Sequence, residues 1–190
     1  MNLYLAFIDR HEVVHFLGPP GTGKSHLAIA LGLEAVKAGK SVYFATLADL
    51  VATLSKAQRE GQLVQRIRFL TRHALLIIDE IGFLPIDSQG ANLFFQLINS
   101  RYEKGAMILT SNRGFKEWGD IFGDPVVAAA LLDRLLHHAV VVTIEGSSYR
   151  LREHAHLMPE HLLNPSAPAR KRSRAKKQPD PPPLSTAAPS

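Results

Sequence analysis

One segment of the sequence, residues 13–25, restricts the fold more than any other because it dictates a strand, a tight loop and a helix in that order. Val13–Leu17 is an apolar run of strand length, and it leads into Gly18-Pro19-Pro20-Gly21-Thr22-Gly23-Lys24-Ser25. Lys24–Lys37 has the spacing of a helix, with Gly39 as its stop signal. A strand that feeds a glycine-rich turn and then a helix is typical of a parallel sheet covered by helices.

The eight residues from Gly18 match the pattern G-x-x-x-x-G-K-[ST] in full. In such a loop the backbone N–H groups converge on a phosphate, and the amino end of the following helix favours the same anion. Lys24 would reach the β- and γ-phosphates, and the Ser25 hydroxyl would ligate Mg²⁺. The sequence thus predicts an ATP site formed by Gly18, Pro19, Pro20, Gly21, Thr22, Gly23, Lys24, Ser25 and His26. The alternative is a glycine turn that caps a helix and binds nothing.

A second signal is an acidic pair, Asp79 and Glu80, which directly follows the apolar run at residues 74–78. Beside a phosphate loop, Asp79 would hold Mg²⁺ and Glu80 would polarise the attacking water. The alternative is an acidic pair that caps a turn at a strand end. The two signals together favour hydrolysis of ATP over binding alone.

The rest of the body alternates short apolar runs with amphipathic stretches, which predicts an α/β fold. Further strands are expected at 41–46, 74–79, 106–110 and 139–144, and further helices at 47–60, 62–72, 89–103 and 125–136. Leu27, Leu31 and Ala35 are expected on one face of the first helix, and the fourth helix has Ala91, Phe94, Phe95 and Ile98 at core spacing. Residues 145–148 are expected to form a turn.

Charge and composition limit the functional classes. The 190 residues include no cysteine and carry a formal net charge of +5, but six basic residues and one acidic residue lie in 164–190. The body, 1–163, then holds 16 basic and 16 acidic residues, so bulk charge does not predict nucleic-acid binding by the folded part. Without cysteine or a long apolar run, the composition fits a cytoplasmic protein.

Taken together, the ordered motifs resemble the IstB-like helper ATPases of bacterial insertion sequences, which are relatives of the DnaC-type helicase loaders in the AAA+ class. The resemblance covers about residues 5–155 and rests on 18–25, 79–85, 109–112 and 132–136, with secondary matches at 122–124 and 146–151. It implies a P-loop NTPase fold of AAA+ type, with a five-stranded parallel sheet between helices in the order 5-1-4-3-2. It further implies ATP hydrolysis in a head-to-tail oligomer on double-stranded DNA, and a transposase as partner.

The same resemblance gives roles to two more residues. Asn112 would be the polar sensor that orients the lytic water beside Glu80, and Arg134 would be an arginine finger that completes the site of a neighbouring subunit. From the residues alone, Asn112 could equally be a turn asparagine and Arg134 a partner of Asp133 in a surface ion pair.

The predicted domain organisation has three parts. Residues 1–12 are expected to be the remnant of an N-terminal helical region that members of the family carry at greater length. Residues 13–158 would be the AAA+ ATPase domain. Residues 159–190 are rich in proline and basic side chains, and they are expected to be disordered.

Weaker signals concern DNA and metals. Basic side chains concentrate in one helical region, at Lys56, Arg59, Arg66, Arg68 and Arg72. By resemblance this region would contact DNA phosphates, while by composition it is equally a solvated helix face. His137-His138 and the pair His154 and His156 are not expected to form a metal site, and Trp118 is expected in the core or at a partner.

Three other functions stay open at this stage. A DnaC-like helicase loader would share every catalytic motif and differ in its N-terminal domain. A truncated module could bind ATP without productive hydrolysis. A small-molecule kinase is disfavoured, because it has little use for Asp79-Glu80 together with Asn112.

Overall fold

The computed structural model of the protein describes residues 5–149, and they form one sheet of five parallel strands with helices on both faces. The strands are β1 (Val13–Leu17), β2 (Val42–Thr46), β3 (Leu75–Ile81), β4 (Ala106–Ser111) and β5 (Ala139–Thr143). The helices are α1 (Ala6–Asp9), α2 (Lys24–Lys37), α3 (Leu47–Arg59), α4 (Leu63–Thr71), α5 (Ser88–Arg101), α6 (Trp118–Phe122) and α7 (Pro125–Leu136).

The strand order is β2-β3-β4-β1-β5, which is the predicted order read from the other edge. Every pairing is parallel, with Val13 opposite Met107 on one side and Ala139 on the other. The predicted strands and longer helices are all present, and their ends differ from the expected ends by at most two residues. Because parallel strands all end at the same edge, the segments that follow β1, β3, β4 and β5 meet there.

Two apolar cores cover the two faces of the sheet. Alternate residues of each inner strand point to opposite faces, so Leu76 and Ile78 of β3 join one core while Leu75 and Ile77 join the other. Helices α3, α4, α5, α6 and α7 contribute to the first core, and α1 and α2 contribute to the second. Burial on both faces explains why the inner strands are continuous apolar runs rather than alternating ones.

The face of α2 that carries Leu27, Leu31 and Ala35 is only partly buried. Leu27 is 43% exposed, whereas Ala28, Gly32 and Ala35 face the sheet. A Cβ atom at Gly32 would stand 2.7 Å from Cδ1 of Ile77, so the helix lies closer to the sheet than larger side chains would allow. Helical periodicity marks an apolar stripe, but here small residues rather than leucines make the contact.

The segment between β4 and α7 contains structure that the sequence did not reveal. A 3₁₀ turn (Phe115–Glu117) follows β4 and runs into α6. Trp118 at the start of α6 is fully buried, which confirms its expected place in the core. Phe94 of α5 is also fully buried and stacks on Phe122 at a ring distance of 5.7 Å.

A buried cation ties together the amino ends of the strands. Arg101, at the end of α5, is fully buried, and its guanidinium donates to the carbonyls of Leu70, Thr71, His73 and Ala106 at 2.8–3.4 Å. These carbonyls belong to the end of α4, the turn before β3 and the start of β4. Burial lowers the pKa of Arg101 to about 10, so the side chain stays charged at neutral pH.

The three-part domain division stays a prediction. Leu5, Phe7 and Ile8 around α1 are buried in the second core, so the first described residues are packed against the sheet and α2. Residues from 150 onward, with the expected basic tail and with His154 and His156, lie outside the described residues. Among residues 5–149, every helix is too short or too polar to cross a membrane.

Candidate functional site: the carboxyl edge of the sheet

The predicted phosphate loop lies between β1 and α2, at the carboxyl edge of the sheet. Gly23 and Lys24 mark the start of α2, a helix of 14 residues, so its amino end points into the loop. The loop is closed by its own contacts, since the Thr22 hydroxyl donates to the Pro19 carbonyl at 2.8 Å. The local geometry is that of an anion cradle at a helix amino end.

Lys24 is held inside this cradle. Its side chain is only 8% exposed, and Nζ donates to the carbonyls of Gly18 and Pro19 at 2.8 and 2.7 Å. Both acceptors belong to the loop itself, five and six residues back along the chain. The ammonium group therefore lies within the turn of backbone that an entering phosphate would occupy.

The metal-ligand candidates Ser25 and Asp79 are in direct contact. The Ser25 hydroxyl donates to Oδ1 of Asp79 at 2.9 Å, although 54 positions separate the two residues. Asp79 is 6% exposed, near the end of β3. One hydroxyl and one carboxylate oxygen at this distance suit Mg²⁺, which takes oxygen ligands and keeps several of its waters. The residues present fit that ion.

Thr110, which the sequence did not single out, organises both acidic residues. It is 1% exposed near the end of β4; its hydroxyl donates to Oδ1 of Asp79 and accepts the backbone N–H of Glu80 at 3.1 Å. A single hydroxyl therefore fixes the side chain of one carboxylate and the backbone of the next. A threonine at the end of an apolar strand carries no spacing signal, which is why sequence reasoning missed it.

Glu80 has an unusual backbone. Its φ is 63°, in the left-handed region that side-chain-bearing residues rarely adopt, and the β3–β4 register shifts between Ile78 and Ile81. Such a conformation costs on the order of 1–3 kcal/mol and persists where surrounding contacts impose it. The result is that Glu80 leaves the strand ladder and its side chain is exposed at the site, while Asp79 stays buried.

Asn112 follows β4 and lines the same cavity as Glu80 and the loop. Its Oδ1 atom is buried and has no hydrogen-bond partner among the described residues. A buried acceptor without a donor costs free energy unless a ligand or a water satisfies it. The sensor role of Asn112 stays a prediction.

These groups surround one open cavity of about 600 Å³. It is lined by Pro20, Gly21, Thr22, Gly23, Lys24, Ser25, His26, Glu80, Phe83, Thr110, Asn112, Glu145, Ser147 and Tyr149. The volume falls in the range of small-molecule sites. Seven of the nine residues expected to bind nucleotide line it, while Gly18 and Pro19 contribute the carbonyls that hold Lys24.

Arg134 is the one expected catalytic residue that lies apart from this cavity. It stands on α7 and packs against α5, with its guanidinium carbon 4.9 Å from the ring centre of Phe95. Nε donates to the Asn99 side chain at 2.9 Å, and Asp133 is 3.9 Å away. Arg134 is thus kept in place by α5 rather than by a close ion pair, and it lies outside the cavity of its own chain.

The basic residues of α3 and α4 divide into two groups. Lys56, Arg59, Arg68 and Arg72 are exposed, and Lys56 stands 3.9 Å from Glu60. Arg66 is half-buried, lies 4.9 Å above the ring centre of Phe69, and donates to the Tyr43 hydroxyl at 3.0 Å. Arg66 therefore packs α4 against the β2 edge, whereas the other four basic side chains are exposed at this surface.

The fold also brings a carboxylate to the adjacent histidines. Oε1 of Glu103 lies 3.6 Å from Nδ1 of His137 and 4.0 Å from Nε2 of His138, at the amino edge of the sheet. All three side chains are exposed. Their proximity depends on the chain turns at the ends of α5 and α7, so the sequence spacing could not indicate it.

The sheet order, the loop between β1 and α2 and the acidic pair at the end of β3 define a P-loop NTPase of the AAA+ type. Two solved structures share the fold. The AMPPCP-bound DnaA of Aquifex aeolicus has a TM-score of 0.62 at 24% identity, over 83% of this chain and 48% of that one. A DnaC helicase loader has a TM-score of 0.57 at 22% identity, over 75% of this chain and 86% of that one.

Residues 3–156 match the family described as IstB-like ATP binding protein, and the chain belongs to that family. It is 56% identical over 149 residues to a protein described as an ATP-binding protein of insertion sequence IS21 from Pseudomonas aeruginosa. It is 52% identical over 151 residues to its counterpart of insertion sequence IS5376 from Geobacillus stearothermophilus. These matches cover 78% and 80% of this chain but only 56% and 60% of those relatives.

Proposed function

We propose that this chain is a Mg²⁺-dependent ATPase that works on DNA as the helper of an insertion-sequence transposase. The observation that carries the proposal is the contact set at the carboxyl edge, where Ser25, Asp79, Thr110 and Glu80 are joined by consecutive hydrogen bonds beside the phosphate loop. Membership of the IstB-like family supports ATP as the nucleotide.

The residues of the site divide the work of hydrolysis. The backbone of Gly21–Ser25 and the amino end of α2 bind the phosphates, and Lys24 exchanges its two loop carbonyls for phosphate oxygens. Ser25 and Asp79 hold the metal, which when bound neutralises charge on the phosphates. Glu80 polarises the attacking water, and the unpaired Oδ1 of Asn112 orients it.

Arg134 completes the site of a neighbouring subunit in a head-to-tail oligomer. Two observations support this role: the side chain lies outside its own cavity, and α5 holds it through Asn99 and Phe95. A guanidinium placed near the transferred phosphate in trans accelerates phosphoryl transfer by about 10³–10⁵-fold in known cases. Hydrolysis would then depend on assembly.

Double-stranded DNA and a transposase are the partners that we propose. The insertion-sequence relatives support this context, and the exposed basic residues of α3 and α4 offer contacts to the phosphate backbone. Such contacts position a protein on DNA without reading its sequence. A place in the cytoplasm follows from this role.

The proposal is tested by ATP turnover, measured with and without duplex DNA over a range of protein concentrations. Wild type should hydrolyse ATP in a Mg²⁺-dependent reaction whose specific rate rises with concentration and with DNA. Glu80→Gln should bind ATP with unchanged affinity and lose turnover by about a hundredfold or more. Equal rates for wild type and Glu80→Gln would reject hydrolysis and leave an ATP-binding module.

A mixing experiment tests the role of Arg134 in trans. Arg134→Ala and Lys24→Ala subunits should each be inactive alone, because one lacks the finger and the other lacks the loop lysine. In a mixture, the intact loop of the first can meet the intact finger of the second, so part of the activity should return. If no proportion of the two restores turnover, Arg134 does not act across an interface.

DNA binding is tested on the exposed basic residues rather than on Arg66, whose reversal would disturb packing. Arg68→Glu with Arg72→Glu should weaken duplex binding and reduce its dependence on salt concentration. Lys37→Glu with Lys104→Glu makes the same change of charge at exposed positions elsewhere and serves as the control. Equal losses in the two double variants would indicate a bulk-charge effect and remove α4 as the contact surface.

A further inference from the structure

The segment that follows β5 folds back over the phosphate loop. The Ile144 N–H donates to the Leu17 carbonyl at 2.7 Å, and the Tyr149 N–H donates to the Gly21 carbonyl at 3.0 Å. The approach is so close that a Cβ atom at Gly21, where φ is 78°, would stand 2.0 Å from the Ser148 hydroxyl. Residues 144–149 therefore form a strap that is fixed by backbone hydrogen bonds to the end of β1 at Ile144 and to the loop at Tyr149.

Tyr149 combines a fixed backbone with an exposed ring. Its N–H is bound to the loop, yet 76% of the residue is accessible, and it lines the nucleotide cavity. His26, which is also exposed, lines the same cavity from the first turn of α2. Large aromatic side chains are usually buried, so an exposed ring that is held beside a ligand cavity indicates a contact to the ligand.

The order of the strands decides which part of the nucleotide reaches this ring. Strand β1 and its loop lie between β4 on one side and β5 on the other. Glu80 and Asn112, which must meet the γ-phosphate, follow β3 and β4, whereas Tyr149 follows β5. A triphosphate whose γ end lies at Glu80 extends across the loop, and its nucleoside leaves the cradle on the β5 side.

We propose that Tyr149 is the stacking platform for the nucleobase of the bound nucleotide. The inference rests on the proposed function, because it concerns the same nucleotide site. Stacking of a base on an aromatic ring tolerates any base, since every base has a π-face. Tyr149 therefore sets the affinity for the nucleoside part of the ligand and leaves the phosphate contacts to the loop.

The experiment compares two ligands, ATP and inorganic tripolyphosphate, by calorimetry on the full chain with Mg²⁺. Tripolyphosphate carries the same phosphates and lacks the base, so it reports on the loop alone. Tyr149→Ala should weaken the binding of ATP by roughly tenfold and leave the affinity for tripolyphosphate unchanged. Tyr149→Phe, which keeps the ring and loses the hydroxyl, should retain the affinity of wild type for both ligands.

Phe83→Ala provides the matched aromatic variant, because Phe83 is 63% exposed and lines the cavity on the Glu80 side. A selective loss for ATP in Phe83→Ala, with none in Tyr149→Ala, would overturn the proposal. So would equal losses for both ligands in Tyr149→Ala, since they would mean that the strap only shapes the loop. If wild type bound neither ligand, the proposed ATPase function itself would fail.

Discussion

Two buried cations, Lys24 and Arg101, occupy opposite ends of the same sheet and bind the same kind of partner. Each is less than a tenth exposed, and each donates to backbone carbonyls. The carbonyls around Lys24 come from its own loop, whereas those around Arg101 come from residues 70–73, which lie 28–31 positions back along the chain, and from Ala106 at the start of β4. A cation on local carbonyls can exchange them for a ligand, while one on distant carbonyls holds the fold together.

Replacement of Lys24 should give the largest effect, and it should be confined to function. In the proposed mechanism, Lys24→Ala removes the ammonium group that meets the β- and γ-phosphates, so turnover should fall by about a thousandfold. The free energy of unfolding should change by only about 1 kcal/mol, because the loop loses two local hydrogen bonds. Turnover assays and chemical denaturation of the same preparation measure the two expected changes, the large loss of turnover and the small loss of stability. A large loss of stability would break the distinction between the two cations.

Replacement of Arg101 should show the opposite pattern. Arg101→Met keeps most of the volume but leaves the buried carbonyls without a donor, so the protein should lose about 3 kcal/mol of stability. ATP affinity, measured well below the unfolding temperature, should stay at the wild-type value. Arg101→Lys, which keeps a charged donor, should have a stability between those of wild type and Arg101→Met. An affinity that fell in proportion to stability would mean that the two ends of the sheet are coupled.

His15 provides a third case, in which the side chain that meets a carbonyl is neutral. It is fully buried in β1, and Nε2 lies 3.2 Å from the Leu135 carbonyl. Burial lowers the pKa of His15 to about 4, from an unfolded value near 6.5. As the pH falls below 6.5 the unfolded chain takes up a proton that the folded chain does not, so stability decreases toward pH 4.

The contribution of His15 should amount to about 2 kcal/mol between pH 7 and pH 4.5. It is measured as the difference in unfolding free energy between wild type and His15→Leu across that range, which removes the contribution of the carboxylates. As the pH falls, the unfolding free energy of wild type should decrease more than that of His15→Leu. A difference that is independent of pH would show that His15 titrates normally in the folded protein.

Thr110 should give a smaller effect at the functional end. Thr110→Val removes the hydroxyl that joins Asp79 to the backbone of Glu80, and turnover should decrease by roughly tenfold, which corresponds to about one charge-assisted hydrogen bond. Thr110→Ser should restore most of the rate. The Km for ATP should change little, because Thr110 positions the acidic residues. Loss of stability without a change in turnover would assign Thr110 to the core alone.

The features that the sequence predicted well have rigid spacing or long periodic segments. The loop from Gly18 to Ser25 and the strand that ends at Asp79 depend on contiguous residues, and so does α7, whose ends were predicted correctly. The buried face of α2 was harder to predict, because Ala28, Gly32 and Ala35 are small residues that hydrophobic periodicity does not mark. Helix α6 has only five residues, too few for a periodic signal.

The residues that were missed depend on contacts between distant segments. Thr110 and Arg101 are an ordinary strand threonine and an ordinary helix-terminal arginine until the fold brings their acceptors together. Tyr149 reaches the nucleotide cavity only because the chain after β5 turns back over the loop. Tertiary geometry sets the roles of these three residues, and no local pattern carries that information.

The burial of Trp118 has a practical consequence for spectroscopy. It is the only tryptophan in the chain, and it is fully buried among Phe115, Phe122 and His15. An indole in such surroundings fluoresces at shorter wavelength than one in water, so the emission of the unmodified protein reports a single site. Because its neighbour is the buried imidazole, the same signal can follow both the melting of the core and the protonation of His15.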